Sequence, residues 1–227
     1  MSVHRLDDPS LAAQDPAELF DVLCADGTPT GEVKRRDAVH RDGDWHRSIH
    51  VWIIGLDPVG REFVTFQRRG RHKDTHPLRL DATVGGHYRA GERLAETLRE
   101  TVEEIGRIVG EGELVSAGAR YGVSEVDPIR DREIQDVFLV RDDRPLTALR
   151  PNPDELDALV RLDVERMIAL FTSEEDAVEG MELDAATLAT TRELIRLSDF
   201  PPTLDCYPLK VALATRAHLR GDPVIVV

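Results

Sequence analysis

The sequence predicts an α+β fold, a sheet sandwiched between helices, with additional helices at the C-terminal end. Three observations predict it. Short β-rich runs bounded by turn residues come first, one helical stretch is embedded among them, and after residue 152 apolar residues recur at three- and four-residue spacing. A chain of 227 residues can bury one sizeable core and still carry an appended segment. It reads as a polar lead-in over 1–17, a domain over 18–175 and a helical extension over 176–227 packed on that domain.

The elements follow in order. LFDVLCADGTPTGEVKRR has the composition of two short strands around an Asp-Gly turn. DAVHRDGDWHR is a polar link. HVWIIGLDPVGREFVTFQRR then reads as a hairpin, with a Pro/Gly turn between its β-rich halves. RLDATV is a further strand leading into Gly85 and Gly86. Helical period runs from Glu92 to Ile105, after which ELVSAGARYGV and EIQDVFLVR return to strand composition across a turn at SEVDPIRD. PDELDALVRLDVERMIALF, LDAATLATTRELIRLS and TLDCYPLKVALATRAHLRG each carry helical spacing.

The composition, 41% hydrophobic and 32% charged, is that of a soluble globular protein. A net charge of −14 excludes a nucleic-acid backbone or an anionic membrane as the main partner. An anionic substrate would need local cations to be held at all. Cys24 and Cys206 are far apart and in no metal-like spacing, so they read as reduced thiols. The N-terminal stretch lacks a basic region followed by an apolar core, and no run approaches the ~18 apolar residues of a membrane span. A cytoplasmic location is the expectation.

The helical stretch carries the chemistry. On a helical wheel Leu94, Leu98, Val102 and Ile105 form an apolar stripe, and Glu96, Glu100, Glu103 and Glu104 gather opposite it. Glu96, Glu100 and Glu104 are successive i,i+4 neighbours, each pair costing roughly 0.2–0.5 kcal/mol in repulsion. Arg99 and Arg107 relieve part of that. Gly85 and Gly86 let the chain turn sharply and expose carbonyl oxygens beside the helix. Carboxylates with a backbone carbonyl form the hard-oxygen environment that Mg²⁺ or Mn²⁺ prefers. A solvated acidic face and a cation site are both open on the residues alone.

The stretch GGHYRAGERLAETLRETVEEIG resembles the Nudix box, whose pattern is G-x5-E-x7-R-E-U-x-E-E-x-G-U with U aliphatic. Gly86, Glu92, Arg99, Glu100, Glu103, Glu104 and Gly106 take the marked positions. Six residues rather than seven separate Glu92 from Arg99, and Thr101 and Arg107 stand at the aliphatic positions. The resemblance implies an α/β/α sandwich with a mixed sheet. It also implies Mg²⁺-dependent hydrolysis of the diphosphate of a nucleoside diphosphate or its derivative. The metal set would be Gly86, Glu100, Glu103 and Glu104, with Mn²⁺ an alternative ion. Glu103 and Glu100 would be catalytic with Arg99, which would orient the carboxylates while Glu92 braces the loop.

Segments outside the box, HRSIHVWII, QRRGRHKDTHP and TVGGH, resemble isopentenyl-diphosphate isomerase, built on the same fold. His46 and His87 fall at positions that bind its metal, His40 lies near a third, and Asp131 and Glu133 match its glutamate pair. Arg69 and Lys73 match residues that hold its diphosphate. The catalytic cysteine of that enzyme corresponds to Gly85, which cannot move a proton. The expectation is therefore a hydrolase, with Arg69, Lys73, His87 and Glu133 binding a small-molecule diphosphate, a nucleotide in the first reading. An isomerase of prenyl diphosphates and a non-catalytic nucleotide-sensing module are the alternatives. His40 and His46 also read as surface histidines, and His87 as a loop hydrogen-bonder. Trp45, Trp52 and Tyr88 could stack on a base, although Trp52 suits the core. The C-terminal helices are candidates for pairing two copies as a homodimer.

Overall fold

The structure, a computed structural model, describes residues 15–203 and 205–227. Most of the expected lead-in, residues 1–14, lies outside the described residues.

The first hairpin joins β1 (Leu19–Leu23) to β2 (Pro29–Arg35). The link that follows is not simply polar chain: it holds α1 (Arg36–Asp42), which ends at Gly43 with φ 72°. β3 (Trp45–Leu56) and β4 (Glu62–Arg69) form the second hairpin, and the glycine run lies on β6 (Val84–His87) after the short β5 (Leu80–Asp81). The periodic helix is in two pieces, α2 (Leu94–Thr97) and α3 (Arg99–Ile105), broken at Leu98. β7 (Val115–Val126) and β8 (Ile129–Arg141) pair antiparallel.

β3 organises the rest. It pairs antiparallel with β4 and β6 and parallel with β8, which makes the sheet mixed. Its side chains alternate between two cores. Ile49, Val51 and Ile53 meet Leu98 and Ile105 on one face. Trp52 and Ile54 meet Met167, Leu170 and Val211 on the other. A strand covered on both faces reads as one apolar run, as VWII does here.

The C-terminal third departs from the helical expectation. Residues 156–163 form β9 (Leu156–Asp163), paired antiparallel with β4, and only then does the chain turn into α4 (Val164–Phe171). Leu156 and Leu159 enter one core, Val160 and Leu162 the other. An apolar run buried on both sides has no period that separates strand from helix, so the vacant edge of β4 decides. Residues 183–198 were expected to be helical too. Instead β10 (Val178–Asp184) and β11 (Thr190–Ile195) form a hairpin that extends the same sheet beyond β9. Asp184 Oδ1 accepts from the Thr187 backbone N–H at 2.7 Å, closing the turn. The segment 176–227 is thus a hairpin plus one helix, α5 (Tyr207–Leu219). That helix buries Tyr207, Val211, Ala212 and Ala214 in its own chain's core. Among the described residues no helix is long and apolar enough to cross a membrane.

Candidate active site

The two glycines on β6 differ in what surrounds them. A Cβ on Gly86 would lie 2.4 Å from Glu100 Cγ, so only glycine lets the α3 carboxylate settle against β6. A Cβ on Gly85 would meet nothing closer than His50 Cδ2 at 3.7 Å. Gly85 is bare where a side chain would fit.

The four glutamates differ in burial. Thr97, Leu98, Thr101, Glu104 and Ile105 form the buried face, with Glu104 at its edge, while Val102 is exposed. Glu104 is only 3% exposed, and its Oε2 accepts from Gln67 Nε2 and from the Gly85 backbone N–H, each at 3.2 Å. Burial pushes its carboxyl up to about 8, against the opposing pull of Lys73. Burial likewise raises Glu100 to about 7, with Arg99 opposing. Glu103 stands at the rim, its side chain 48% exposed. Arg99 ties the group together: it donates to Glu92 at 2.5 Å and to Glu100 at 2.8 Å, and lies 3.7 Å from Glu103. Thr101, at an aliphatic position of the pattern, is buried with its hydroxyl within 2.8 Å of the Leu98 and Arg107 carbonyls.

A second cluster lies across the glycines. His46 is fully buried and His40 nearly so, which corrects their reading as surface histidines. They come from β3 and α1, and His87 joins them from β6. Ligand atoms of His40, His46 and His87, and of His46, Asp131 and Glu133, fall within 4.8 Å of one another. Among the described residues these are the tight groupings of potential ligands; the α3 glutamates, spread around Arg99, do not form one. His46 Nδ1 lies 3.2 Å from the Asp44 carbonyl, which only accepts, so Nε2 is left bare. His40 Nε2, His46 Nε2 and Asp131 Oδ1 are buried with no hydrogen-bond partner. Orphaned polar atoms of this kind fit a cation, and mixed nitrogen and oxygen donors suit Mn²⁺, Fe²⁺, Co²⁺ or Zn²⁺ better than Mg²⁺. Burial holds His40 at about 3 and His87 at about 4, so both are neutral; the bare Nε2 of His40 is free to ligate, whereas both ring nitrogens of His87 are engaged, by Arg36 and Glu133. Burial and the Glu133 charge raise Asp131 well above the carboxylate range. Burial, the largest single influence, would raise Glu133 as well, but the hydrogen bond from His87 and the neighbouring imidazoles of His46 and His50 together outweigh it and hold Glu133 low.

Both clusters open into one cavity of about 850 Å³. A family model described as the NUDIX domain matches residues 46–182, more than half the chain, spanning the glycines, the glutamates and Glu133. The chain belongs to the Nudix hydrolase family. It is 27% identical to an uncharacterized Nudix hydrolase of Clostridium acetobutylicum over 64% of this chain and 70% of that protein. It is 35% identical to Nudix hydrolase 3 of Arabidopsis thaliana over 65% of this chain but only 18% of that much longer protein. A solved Nudix hydrolase from Alicyclobacillus acidocaldarius superposes with a TM-score of 0.50 at 16% identity, covering 80% of this chain and 97% of that one. This last likeness concerns the fold alone.

The remaining expected residues of this Nudix protein sort by their partners. Arg69 lines the cavity but is bonded to Asp81 at 3.1 Å and to Thr75; Lys73 is bonded to Glu155 at 2.8 Å. Glu133 accepts from Ser48 at 2.8 Å and Gln135 at 2.6 Å. Trp52 is core, its Nε1 donating to the Tyr207 hydroxyl at 3.0 Å; Trp45 packs edge-on against Tyr121, and Tyr88 donates to Asp136. Sequence reasoning missed several lining residues: Arg36 and His50, and, from the last third, Asp205 and Tyr207. Arg36 sits in a stretch read as a link. Tyr207 arrives through the chain's return to the sheet, and no local pattern announces that.

Proposed function

We propose that this Nudix protein is a divalent-cation-dependent pyrophosphohydrolase, acting on a nucleoside diphosphate or a nucleoside diphosphate derivative. The observation that carries this reading is one cavity lined by Glu100 and Glu104 together with His40, His87, Asp131 and Glu133, with Gly85 and Gly86 on its wall. A diphosphate carries negative charge along its length, and carboxylates alone would repel it. Mg²⁺ at Glu100, Glu103, Glu104 and the Gly86 carbonyl would supply charge neutralisation and an acidified water. Glu100, held near neutrality by burial, is suited to take the proton of the attacking water. Arg99 positions the carboxylates. Arg69, Lys73, His87 and Glu133 line the substrate's path.

The histidine cluster favours a second reading, an isomerase of prenyl diphosphates, which Gly85 opposes because it offers no proton donor. One experiment separates them. The protein is incubated with Mg²⁺ or Mn²⁺ and a panel of nucleoside diphosphates, dinucleotides, nucleotide sugars and isopentenyl diphosphate, beside the Glu103→Gln and Glu104→Gln variants. Hydrolysis of at least one nucleotide is expected, falling by about 10² or more in the variants. Hydrolysis that survives both substitutions would sink the assignment. Isomerisation without hydrolysis would establish the second reading.

A further inference from the structure

The cations that line the cavity are not equally available to a ligand. Among the lysine and arginine side chains there, Arg69 is bonded to Asp81, Lys73 to Glu155, Arg89 to Glu18 and Arg120 to Asp205, at 2.8–3.1 Å. An anion that recruits any of these must first compete with a carboxylate. Arg36 is different. Among the described residues no carboxylate contacts it, and its side-chain bond is from Nη1 to His87 Nδ1 at 3.3 Å.

That partner gives Arg36 direction without a countercharge. A guanidinium only donates, so His87 Nδ1 is bare and its Nε2–H points to Glu133 Oε1 at 3.1 Å. The arrangement Arg36→His87→Glu133 aims the guanidinium at the histidine end of the cavity. The Arg36 backbone N–H donates to the Glu18 carbonyl at 2.7 Å, which fixes the start of its helix at the cavity wall. Displacing a neutral imidazole acceptor costs less than breaking an ion pair of comparable burial, while a phosphate offers two oxygens to the planar fork.

We propose that Arg36 is the substrate's phosphate clamp at the histidine end of the cavity, released from His87 Nδ1 to grip a phosphate of the bound diphosphate. This rests on the pyrophosphohydrolase reading for the identity of the ligand, not for its own geometry. In the acidic cavity it assigns the first protein contact to the one lining cation without a carboxylate among the described residues, ahead of Arg69 and Lys73.

The test measures binding without turnover. Methylenediphosphonate, whose bridging carbon cannot be hydrolysed, is titrated calorimetrically into the full chain in Mg²⁺ buffer. Arg36→Gln, Arg36→Lys and Arg35→Gln are compared with the wild type, with thermal melting to confirm that each is folded. Arg35 is the charge control: it is half-exposed, paired with Asp37, and its loss changes net charge equally. Arg36→Gln is expected to weaken binding roughly tenfold or more, as for a lost charge-assisted pair of hydrogen bonds. Arg36→Lys should recover part of the affinity, and Arg35→Gln should change it less than about twofold. Binding by Arg36→Gln within twofold of wild type, or an equal loss in Arg35→Gln, would overturn the proposal. So would a wild type that does not bind the diphosphonate. Hydrolysis in the nucleotide panel then shows independently whether the pyrophosphohydrolase reading stands without the clamp.

Discussion

Gly86 and Glu100 are in such close approach that a methyl group on the glycine would lie 2.4 Å from Glu100 Cγ and 2.9 Å from its Oε1. The obstructing atoms belong to a side chain that can swing aside, so Gly86→Ala should fold with little loss of stability while moving Glu100. Hydrolysis is expected to fall about 10²-fold or more, with the melting temperature within a few degrees of wild type. Gly85→Ala, whose Cβ has 3.7 Å of clearance, should be folded equally well and should not displace Glu100. Equal activity in Gly86→Ala and wild type would remove Glu100 from the chemistry.

Glu104 gives a pH signature in cation-free protein. Its folded pKa of about 8 lies above the 4.5 of an unperturbed glutamate. Between those values the native state holds a proton that the unfolded chain has released, so Glu104 lowers stability as pH rises through that window. In EDTA, the stability of Glu104→Gln relative to wild type should increase from pH 5 to pH 8, measured by urea unfolding at each pH. Mg²⁺ should reduce the difference on the alkaline side, because a bound cation favours the carboxylate. A difference that stays flat with pH would refute the burial argument.

The buried histidines work in the opposite direction. His40 and His87 have folded pKa values of about 3 and 4, below the 6.5 of an unperturbed histidine. Their stabilising contribution is present above 6.5 and is lost as pH falls towards 4. Replacing His40 with Gln should make acid unfolding begin at lower pH. The readout is the fluorescence of Trp52, which is buried in the core.

The same cluster should take up a transition metal. Co²⁺ added to the metal-free protein is expected to produce visible ligand-field bands, and His46→Gln combined with Asp131→Asn should abolish them. Bands of undiminished intensity in the double variant would place the ion elsewhere.

Tyr207 anchors the last helix to the sheet. Its hydroxyl accepts from Trp52 Nε1 at 3.0 Å and lies 3.1 Å from His50 Nδ1. Tyr207→Phe leaves the indole N–H buried without an acceptor, which should cost about 1–3 kcal/mol in denaturant unfolding. An unchanged midpoint would mean that the indole finds another partner.

The order of the strands from Leu19 to Arg141 was legible because turn residues punctuate β-rich runs there, and the carboxylate-bearing helix because its spacing is local. The burial of Glu104 was not legible. On a wheel it stands at the edge of the acidic arc beside Thr97 and Thr101, and only packing against Gln67 and the Gly85 backbone N–H puts that edge inside. β9 and the β10–β11 hairpin were misread because their state depends on the open edge of β4, 87 or more residues earlier in the chain. Their own period does not record it.

The sequence by itself determined the family. The glycines and glutamates from Gly86 to Gly106 lie within the segment that matches the Nudix domain, although the acidic helix read without that pattern left a solvated face and a cation site both open. The tertiary structure decided which groups share the cavity. His40 on α1, His46 on β3, His87 on β6 and Glu133 on β8 converge only because β3 pairs with β6 on one side and β8 on the other. It also decided which cations are spoken for, pairing Arg69 and Lys73 with carboxylates and leaving Arg36 with an imidazole. Contacts of that kind follow from strand order and register, to which a local pattern of residues is blind.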